Sequence, residues 1–163
     1  VVIAAPLIGQ DLAGDPGIGA LLLTAMAAGA LAGSAVVARR PIRRRGPGTT
    51  VVLSTLTLGL CMTALAAVPS MPIAFVVVAV LGFLQAPQLT AVMQVRDRES
   101  PEQVRSLVFV AAASLKTGAF AVGAVLAATL VDLGWRPLLL AGALVEVAAV
   151  IMGLLLAGRR APA

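Results

Sequence analysis

Five long apolar runs constrain the fold of this chain more than any other feature of its sequence. Each run has about twenty mostly apolar residues, the length that an α-helix needs to cross a bilayer. Because a segment in lipid must satisfy its own backbone hydrogen bonds, we predict that all five are helices. The predicted fold is an all-α integral membrane bundle of several helices, forming one transmembrane domain over residues 1–163. The predicted helices cover about 17–38, 49–68, 73–95, 104–131 and 137–157.

The composition agrees with lipid as the solvent. Of the 163 residues, 60% are hydrophobic and 12% charged, against roughly 45–50% and about 25% in soluble domains. The chain has no histidine and one cysteine, Cys61, so histidine-dependent catalysis, histidine-ligated zinc and an internal disulfide are excluded. The sequence shows no pattern typical of a nucleophile with its base or of a phosphate-binding loop. We therefore predict no enzyme activity, no cofactor and no metal site.

Basic residues are concentrated in alternate gaps between the runs. One set of gaps, with the C-terminus, holds ten Lys and Arg residues, and the other set holds only Arg136. The positive-inside rule places the basic set and the C-terminus in the cytoplasm, and we predict the cytoplasmic membrane of a bacterium. A net charge of +5 thus indicates topology and not nucleic-acid binding. The predicted cytoplasmic loop residues are Arg39, Arg40, Arg43, Arg44, Arg45 and Arg105.

The outer ends of the runs carry two further signals. The only tryptophan, Trp135, falls at the predicted outer interface, where aromatic belts lie. The apolar stretch Val1–Gly9 lacks the basic n-region of a signal peptide. We interpret Val1–Gly9 as the tail of a truncated helix and the chain as a fragment.

The start of the fourth run has a capping pattern. Ser100 is placed to cap, Pro101 suits the first helical position, and Gln103 completes a capping box. The pattern predicts a helix that begins in water before it enters the membrane.

Two charged residues lie deep in the predicted spans. Lys116 is near the middle of the fourth run and Glu146 is near the middle of the fifth. Each costs roughly 2.5–3.5 kcal/mol at a helix centre on insertion scales. The two are candidates for an intramembrane charge pair, as a static ion pair or with a role in proton coupling or substrate contact.

The third run carries polar residues and a proline at mid-depth. Pro87 has no N–H, so the carbonyl of Phe83 loses its helical donor. Gln85 and Gln88 are three residues apart and share a face. Since interrupted helices near the midplane are a pointer to transport sites, Gln85, Pro87 and Gln88 are candidates for a substrate cavity. The alternative is a kinked helix whose amides bond to other helices.

Small residues recur at four-residue spacing on two runs. Gly29 and Gly33 follow Ala25 on the first, and Gly123 lies between Ala119 and Ala127 on the fourth. Such stripes let helix backbones approach closely in lipid. Gly29, Gly33 and Gly123 are therefore predicted helix-packing residues.

Three segments together resemble the C-terminal half of the major facilitator superfamily, in its drug-exporter-like form. Residues 39–46, with Gly46 and a cluster of Arg, resemble the degenerate repeat of the family's signature loop, although the Asp of that signature is absent. Residues 114–120, followed by Gly123, resemble an eleventh helix of that group. The loop pattern of the same group is carried by Arg96, Pro101, Arg105 and Ser106.

The resemblance implies a fold and a function. Val1–Gly9 would be the end of helix seven, and the five runs would be helices eight to twelve. Helices seven and ten line the central cavity in this family, which would place Gln85 and Gln88 there, and Lys116 would be better placed than Glu146 to influence transport. The implied activity is proton-coupled efflux of a small solute by alternating access. The implied partners are the lipid bilayer, a small-molecule substrate and a missing N-terminal half.

Two other functions remain open from the sequence. A polytopic membrane protein without transport activity has the same apolar runs. A small membrane protein that forms homo-oligomers through its small-residue stripes is the other alternative.

Overall fold

The computed structural model describes residues 1–39 and 47–158. These residues form six α-helices and two short 3-10 turns, without a strand. Five of the helices are long and apolar enough to cross a membrane, which confirms the predicted all-α membrane fold. The helices are α1 (Ala4–Ala13), α2 (Pro16–Arg39), α3 (Pro47–Ala66), α4 (Met71–Glu99), α5 (Arg105–Thr129) and α6 (Trp135–Gly158), with 3-10 turns at Glu102–Val104 and Val131–Leu133.

Two helices extend beyond their apolar runs. Helix α1 continues to Ala13 and ends at Gly14, whose φ of 73° is left-handed, a conformation that glycine adopts without steric cost. Helix α4 continues to Glu99 across four charged residues that begin at Arg96. Because Arg and Glu are good helix formers, the apolar run marks the edge of the membrane and not the end of the helix.

The capping box predicted at Ser100 is absent. Ser100 instead terminates α4 with an extended backbone, at φ −99° and ψ 122°. A residue that precedes proline is biased toward this extended region, and Pro101 follows. Helix α5 begins only at Arg105, and Val104 at its N-cap position makes no side-chain capping bond.

Helix α4 is the centre of the bundle. It packs along both α2 and α3, while α3 also packs along α6 and α1 lies against α2. The hydrophobic core is densest at the predicted outer end of the membrane, where α1, α2, α3, α4 and α6 all contribute. Its largest fully buried side chains are Ile8, Leu22, Leu65, Val78 and Leu139.

Trp135 belongs to this core and does not face lipid headgroups. Its side chain is only 4% exposed. The indole Nε1 donates a hydrogen bond of 2.9 Å to Oδ2 of Asp11, and the guanidinium of Arg136 lies 5.0 Å from the ring centroid. Trp135 therefore joins the start of α6 to the end of α1.

Helix α5 is packed differently from the other spans. None of its residues is buried, and its main contacts with other elements are those with α4 and the two 3-10 turns. Leu115, near its middle, is 75% exposed. Within the described residues, α5 is attached mainly by its ends.

Candidate functional site

The contact between α2 and α4 is made through glycine. A Cβ atom added at Gly29 would collide with the carbonyl oxygen of Ala79, and one added at Gly82 would collide with the carbonyl oxygen of Met26. The backbones of the two helices are therefore as close as they can come. Close approach of this kind allows van der Waals contact and Cα–H···O interactions to replace the hydrophobic drive that lipid does not supply.

Pro87 is part of the same contact. Helix α4 remains helical through Pro87, but the carbonyl of Phe83 cannot receive a hydrogen bond from a proline nitrogen. Gly33 of α2 lies directly over this carbonyl, since a Cβ at Gly33 would collide with the oxygen of Phe83. The group that Pro87 leaves without a helical donor is thus covered by the backbone of α2.

The two amides beside Pro87 reach different helices. Nε2 of Gln88 donates a hydrogen bond of 2.9 Å to Oγ1 of Thr55 on α3. Nε2 of Gln85 approaches Sδ of Met26 on α2 at 3.9 Å, and a thioether is only a weak acceptor. Both glutamine side chains are half-buried. Each amide therefore makes one contact and keeps further donors and its acceptor for other partners.

The structure does not bring Lys116 and Glu146 together. Lys116 is exposed on α5, while Glu146 is half-buried on α6. In residues 1–39 and 47–158 the ion pair that forms is a different one, between Arg105 and Asp97. The physical reason is that α5 does not pack along α6.

The predicted packing stripe on α5 likewise has no neighbouring helix among the described residues. A Cβ at Gly123 would meet no atom within 4 Å. Gly123 instead lines an apolar groove of about 620 Å³ that lies between α5 and α6 and is also lined by Met62 of α3 and residues 1–3. Glu146 lines the same groove.

The helix termini that are predicted to be cytoplasmic lie together on one side of the bundle. Nε of Arg105 is 3.4 Å from Oδ1 of Asp97 but forms no hydrogen bond, so this pair ties the start of α5 only weakly to the end of α4. Arg39 is exposed at the end of α2. The other predicted loop residues, Arg40, Arg43, Arg44 and Arg45, lie outside the described residues.

Three of the contacting groups are not singled out by any motif in the sequence. Thr55 holds Gln88, Gly82 completes the α2–α4 contact, and Asp11 receives the Trp135 hydrogen bond. Thr55 lies among other hydroxyl residues in an apolar run, which is the one signal that pointed to a polar face on α3. Which helix each group contacts depends on how each helix is rotated about its own axis, and the sequence does not predict this rotation.

Comparisons with known proteins identify the family. The model of the Major Facilitator Superfamily matches residues 1–163. The multidrug efflux pump Tap of Mycolicibacterium fortuitum is 32% identical over 114 residues, which make up 68% of this chain and 27% of that protein. No solved structure matches the chain.

The chain is an integral membrane protein that belongs to the Major Facilitator Superfamily. It spans about a quarter of the length of the relative that it matches.

Proposed function

We propose that this chain is the C-terminal half of a transporter that exports a small solute through a bacterial cytoplasmic membrane by alternating access, driven by proton exchange. Family membership and the similarity to a multidrug efflux pump support this proposal. In it, α1 is the end of the seventh helix, and α2 to α6 are the eighth to the twelfth. The basic ends of the helices and the C-terminus are cytoplasmic.

The observation that carries the proposal is the polar segment at mid-depth in α4. Gln85 and Gln88 flank Pro87, and each amide has hydrogen-bonding capacity beyond its single contact. Polar groups are costly in hydrocarbon unless they are bonded. Water in a cavity between two transporter halves would hydrogen-bond these amide groups, and a substrate that enters the cavity would replace the water.

The packing of α2 on α4 supports the mechanical part of the proposal. Because Gly29 and Gly82 hold the two backbones in contact, we expect α2 and α4 to move as one rigid body. Alternating access is largely rigid-body rocking of one repeat or bundle against another around a fixed site. No covalent step and no cofactor are required.

Lys116 has a separate role in this proposal. It is exposed on α5 and has no ion-pair partner in the described part of the chain. A charge at this depth faces a bundle interior or a solvated cavity. We place Lys116 against the N-terminal half of the transporter, where it influences transport without contacting Glu146.

The test uses the full-length transporter in proteoliposomes with an imposed pH gradient and a fluorescent drug-like dye. We expect dye movement that follows the gradient and stops when a protonophore collapses it. Gln85→Leu and Gln88→Leu should each slow the movement about tenfold, since a ΔΔG of about 1.4 kcal/mol is a factor of ten. Gln103→Leu, the same change at an exposed position outside the membrane, should leave the rate unchanged.

The same assay separates the alternatives. Folded full-length protein that moves no dye or other small solute under any gradient supports a membrane protein without transport activity. Transport by residues 1–163 alone, as an oligomer, supports the homo-oligomer and contradicts the assignment as a transporter half.

A further inference from the structure

A second groove opens where α3 begins and where α4 and α6 approach their ends. We call it the Arg96 groove; its volume is about 620 Å³, within the range of small-molecule sites. It shares no described lining residue with the groove between α5 and α6. Its apolar lining comes from three helices and includes Val51 and Val52 of α3, Val92 and Val95 of α4, and Leu154 of α6.

The lining of the Arg96 groove changes from polar to apolar along the helices. Arg96 lies about one helical turn, roughly 6 Å, nearer the end of α4 than Val92, and Thr49 lies about one turn nearer the start of α3 than Val52. Because α3 begins and α4 ends on the predicted cytoplasmic side, the two polar side chains lie toward the membrane surface and the valines toward the hydrocarbon. An occupant of the groove therefore needs a polar end and an apolar end.

Arg96 determines the charge of the occupant. Among the described residues it is the only charged one that lines this groove, and it is half-buried. Its side chain forms no hydrogen bond or ion pair with any described residue, since Asp97 pairs with Arg105 and Glu99 is exposed without pairing to Arg96. A guanidinium in this state favours an anion, and its planar fork matches the oxygens of a phosphate.

The helices leave space that the chain itself does not fill. Helix α3 packs along both α4 and α6, but α4 and α6 do not pack along each other. At Gly153 of α6, an added Cβ would meet no atom within 4 Å. A molecule in the Arg96 groove would therefore contact all three helices without displacing any of them.

We propose that the Arg96 groove binds an anionic phospholipid of the cytoplasmic leaflet, with the phosphate on the guanidinium of Arg96 and part of an acyl chain along Val92 and Leu154. A phospholipid brings a phosphate at the surface and hydrocarbon below it, and basic pockets between membrane helices on the cytoplasmic side bind anionic head groups. A zwitterionic head group is disfavoured because it brings its own cation beside Arg96. The inference rests on the proposed function for the cytoplasmic placement of this end of the bundle.

The experiment is photolabelling of the full-length transporter in phosphatidylcholine nanodiscs that contain a small fraction of phosphatidylglycerol with a photoreactive acyl chain. The labelled peptides are identified by mass spectrometry after proteolysis. We expect labelling on α4 near Val92 and on α6 near Leu154. Phosphatidylcholine with the same photoreactive chain should label these positions about fivefold less, the effect expected of one arginine near an anionic lipid.

The head-group contact is tested by a pair of matched variants. Arg96→Gln should lower the labelling of the groove by phosphatidylglycerol about fivefold. Arg98→Gln is the control, because it removes the same charge two residues away, from an exposed side chain that does not line the groove. Arg98→Gln should keep the wild-type labelling. Each variant is first shown to elute as monodisperse protein.

The acyl-chain contact has its own pair of variants. Gly153→Leu places a side chain in the open space of the groove without a collision, so it should also lower the labelling. Gly118 of α5 has equally open surroundings but lies outside the groove. Gly118→Leu should therefore leave the labelling unchanged.

Four results would overturn the lipid site. Equal losses for Arg96→Gln and Arg98→Gln would show attraction to the general surface charge, and equal labelling by the two lipids would remove the preference for an anion. Undiminished labelling of Gly153→Leu would place the lipid elsewhere, and no labelling in the folded protein would mean that another part of the transporter covers the groove. Photolabelling requires folded protein but no transport, so a labelled protein that moves no dye refutes the proposed function while it leaves the lipid site standing.

Discussion

Helices α2 and α5 carry the same kind of small-residue stripe, yet only α2 uses it within the described residues. Gly29 and Gly33 of α2 lie against backbone carbonyls of α4, whereas Gly123 of α5 has no atom within reach of an added Cβ. Both helices are long and apolar enough to span a membrane. The comparison shows that a stripe gives a helix the capacity for close approach, and that the partner determines whether the capacity is used.

The difference extends to the energetics. On α2, the glycines remove the side chain that would separate two backbones, so even one methyl group there must displace a helix. On α5, the same change meets open space, and a Gly→Ala change in a helix interior favours the helix by about 1 kcal/mol. The two helices therefore give opposite responses to the same substitution.

The largest expected effect comes from Gly29→Ala. Its Cβ would collide with the backbone oxygen of Ala79, which cannot rotate away as a side chain does. We expect the free energy of unfolding to fall by about 3 kcal/mol, at the upper end of the usual cost of overpacking. Thermal unfolding of the detergent-solubilised full-length protein, followed by size-exclusion chromatography, measures it.

Gly118→Ala on α5 is the matched control. No atom lies within 4 Å of the position of its Cβ, so the variant should be as stable as the parent or slightly more stable. Equal losses for Gly29→Ala and Gly118→Ala would remove the distinction between the two helices.

A smaller effect is expected at the outer end of the bundle. Trp135→Phe keeps the aromatic ring in the core but removes the Nε1 hydrogen bond to Asp11, which should cost about 1 kcal/mol. Asp11→Asn keeps an acceptor oxygen and should cost less. If Asp11→Asn is the more harmful of the two, the carboxylate charge and not this hydrogen bond holds α1 on α6.

The hydrogen bond between α3 and α4 should contribute still less. A double-mutant cycle of Gln88→Leu and Thr55→Val isolates it, and we expect a coupling of about 0.6 kcal/mol, the average for such bonds between membrane helices. The measurement is the unfolding free energy of the two single variants and the double variant. A coupling near zero would mean that Gln88 faces another group in the full-length transporter.

The smallest effect is expected where α5 meets α4. Asp97→Asn removes the ion pair with Arg105, whose side chains are 61% and 41% exposed. Exposed pairs contribute roughly 0–1 kcal/mol, so the unfolding temperature should barely change, and added salt should not alter the comparison. A substantial loss would show that α5 depends on this pair more than the structure indicates.

The sequence predicts the spanning helices well because membrane insertion depends on the length and hydropathy of a segment. It also locates Gln85, Pro87, Gln88 and the glycines of α2, since polar and small residues stand out in apolar runs. It does not predict that Gln88 bonds to Thr55 or that Lys116 and Glu146 form no ion pair in the described residues, because both outcomes depend on helix rotation and on which helices are neighbours. The end of the apolar run at Val95 does not predict the end of α4 at Glu99, because charged residues can leave the membrane without leaving the helix.

The lipid exposure of α5 in the full-length transporter is the decisive test of whether this chain is one half of a larger bundle. A spin label on Phe120→Cys, in the groove between α5 and α6, is compared with one on Leu155→Cys of α6, and collision with oxygen dissolved in the bilayer is measured. The two side chains are 64% and 63% exposed in the structure of this chain. We predict that the label at position 120 is shielded by the rest of the transporter while the label at position 155 remains accessible. Equal accessibility at the two positions would contradict this prediction, because α5 would then face lipid and not the rest of the transporter.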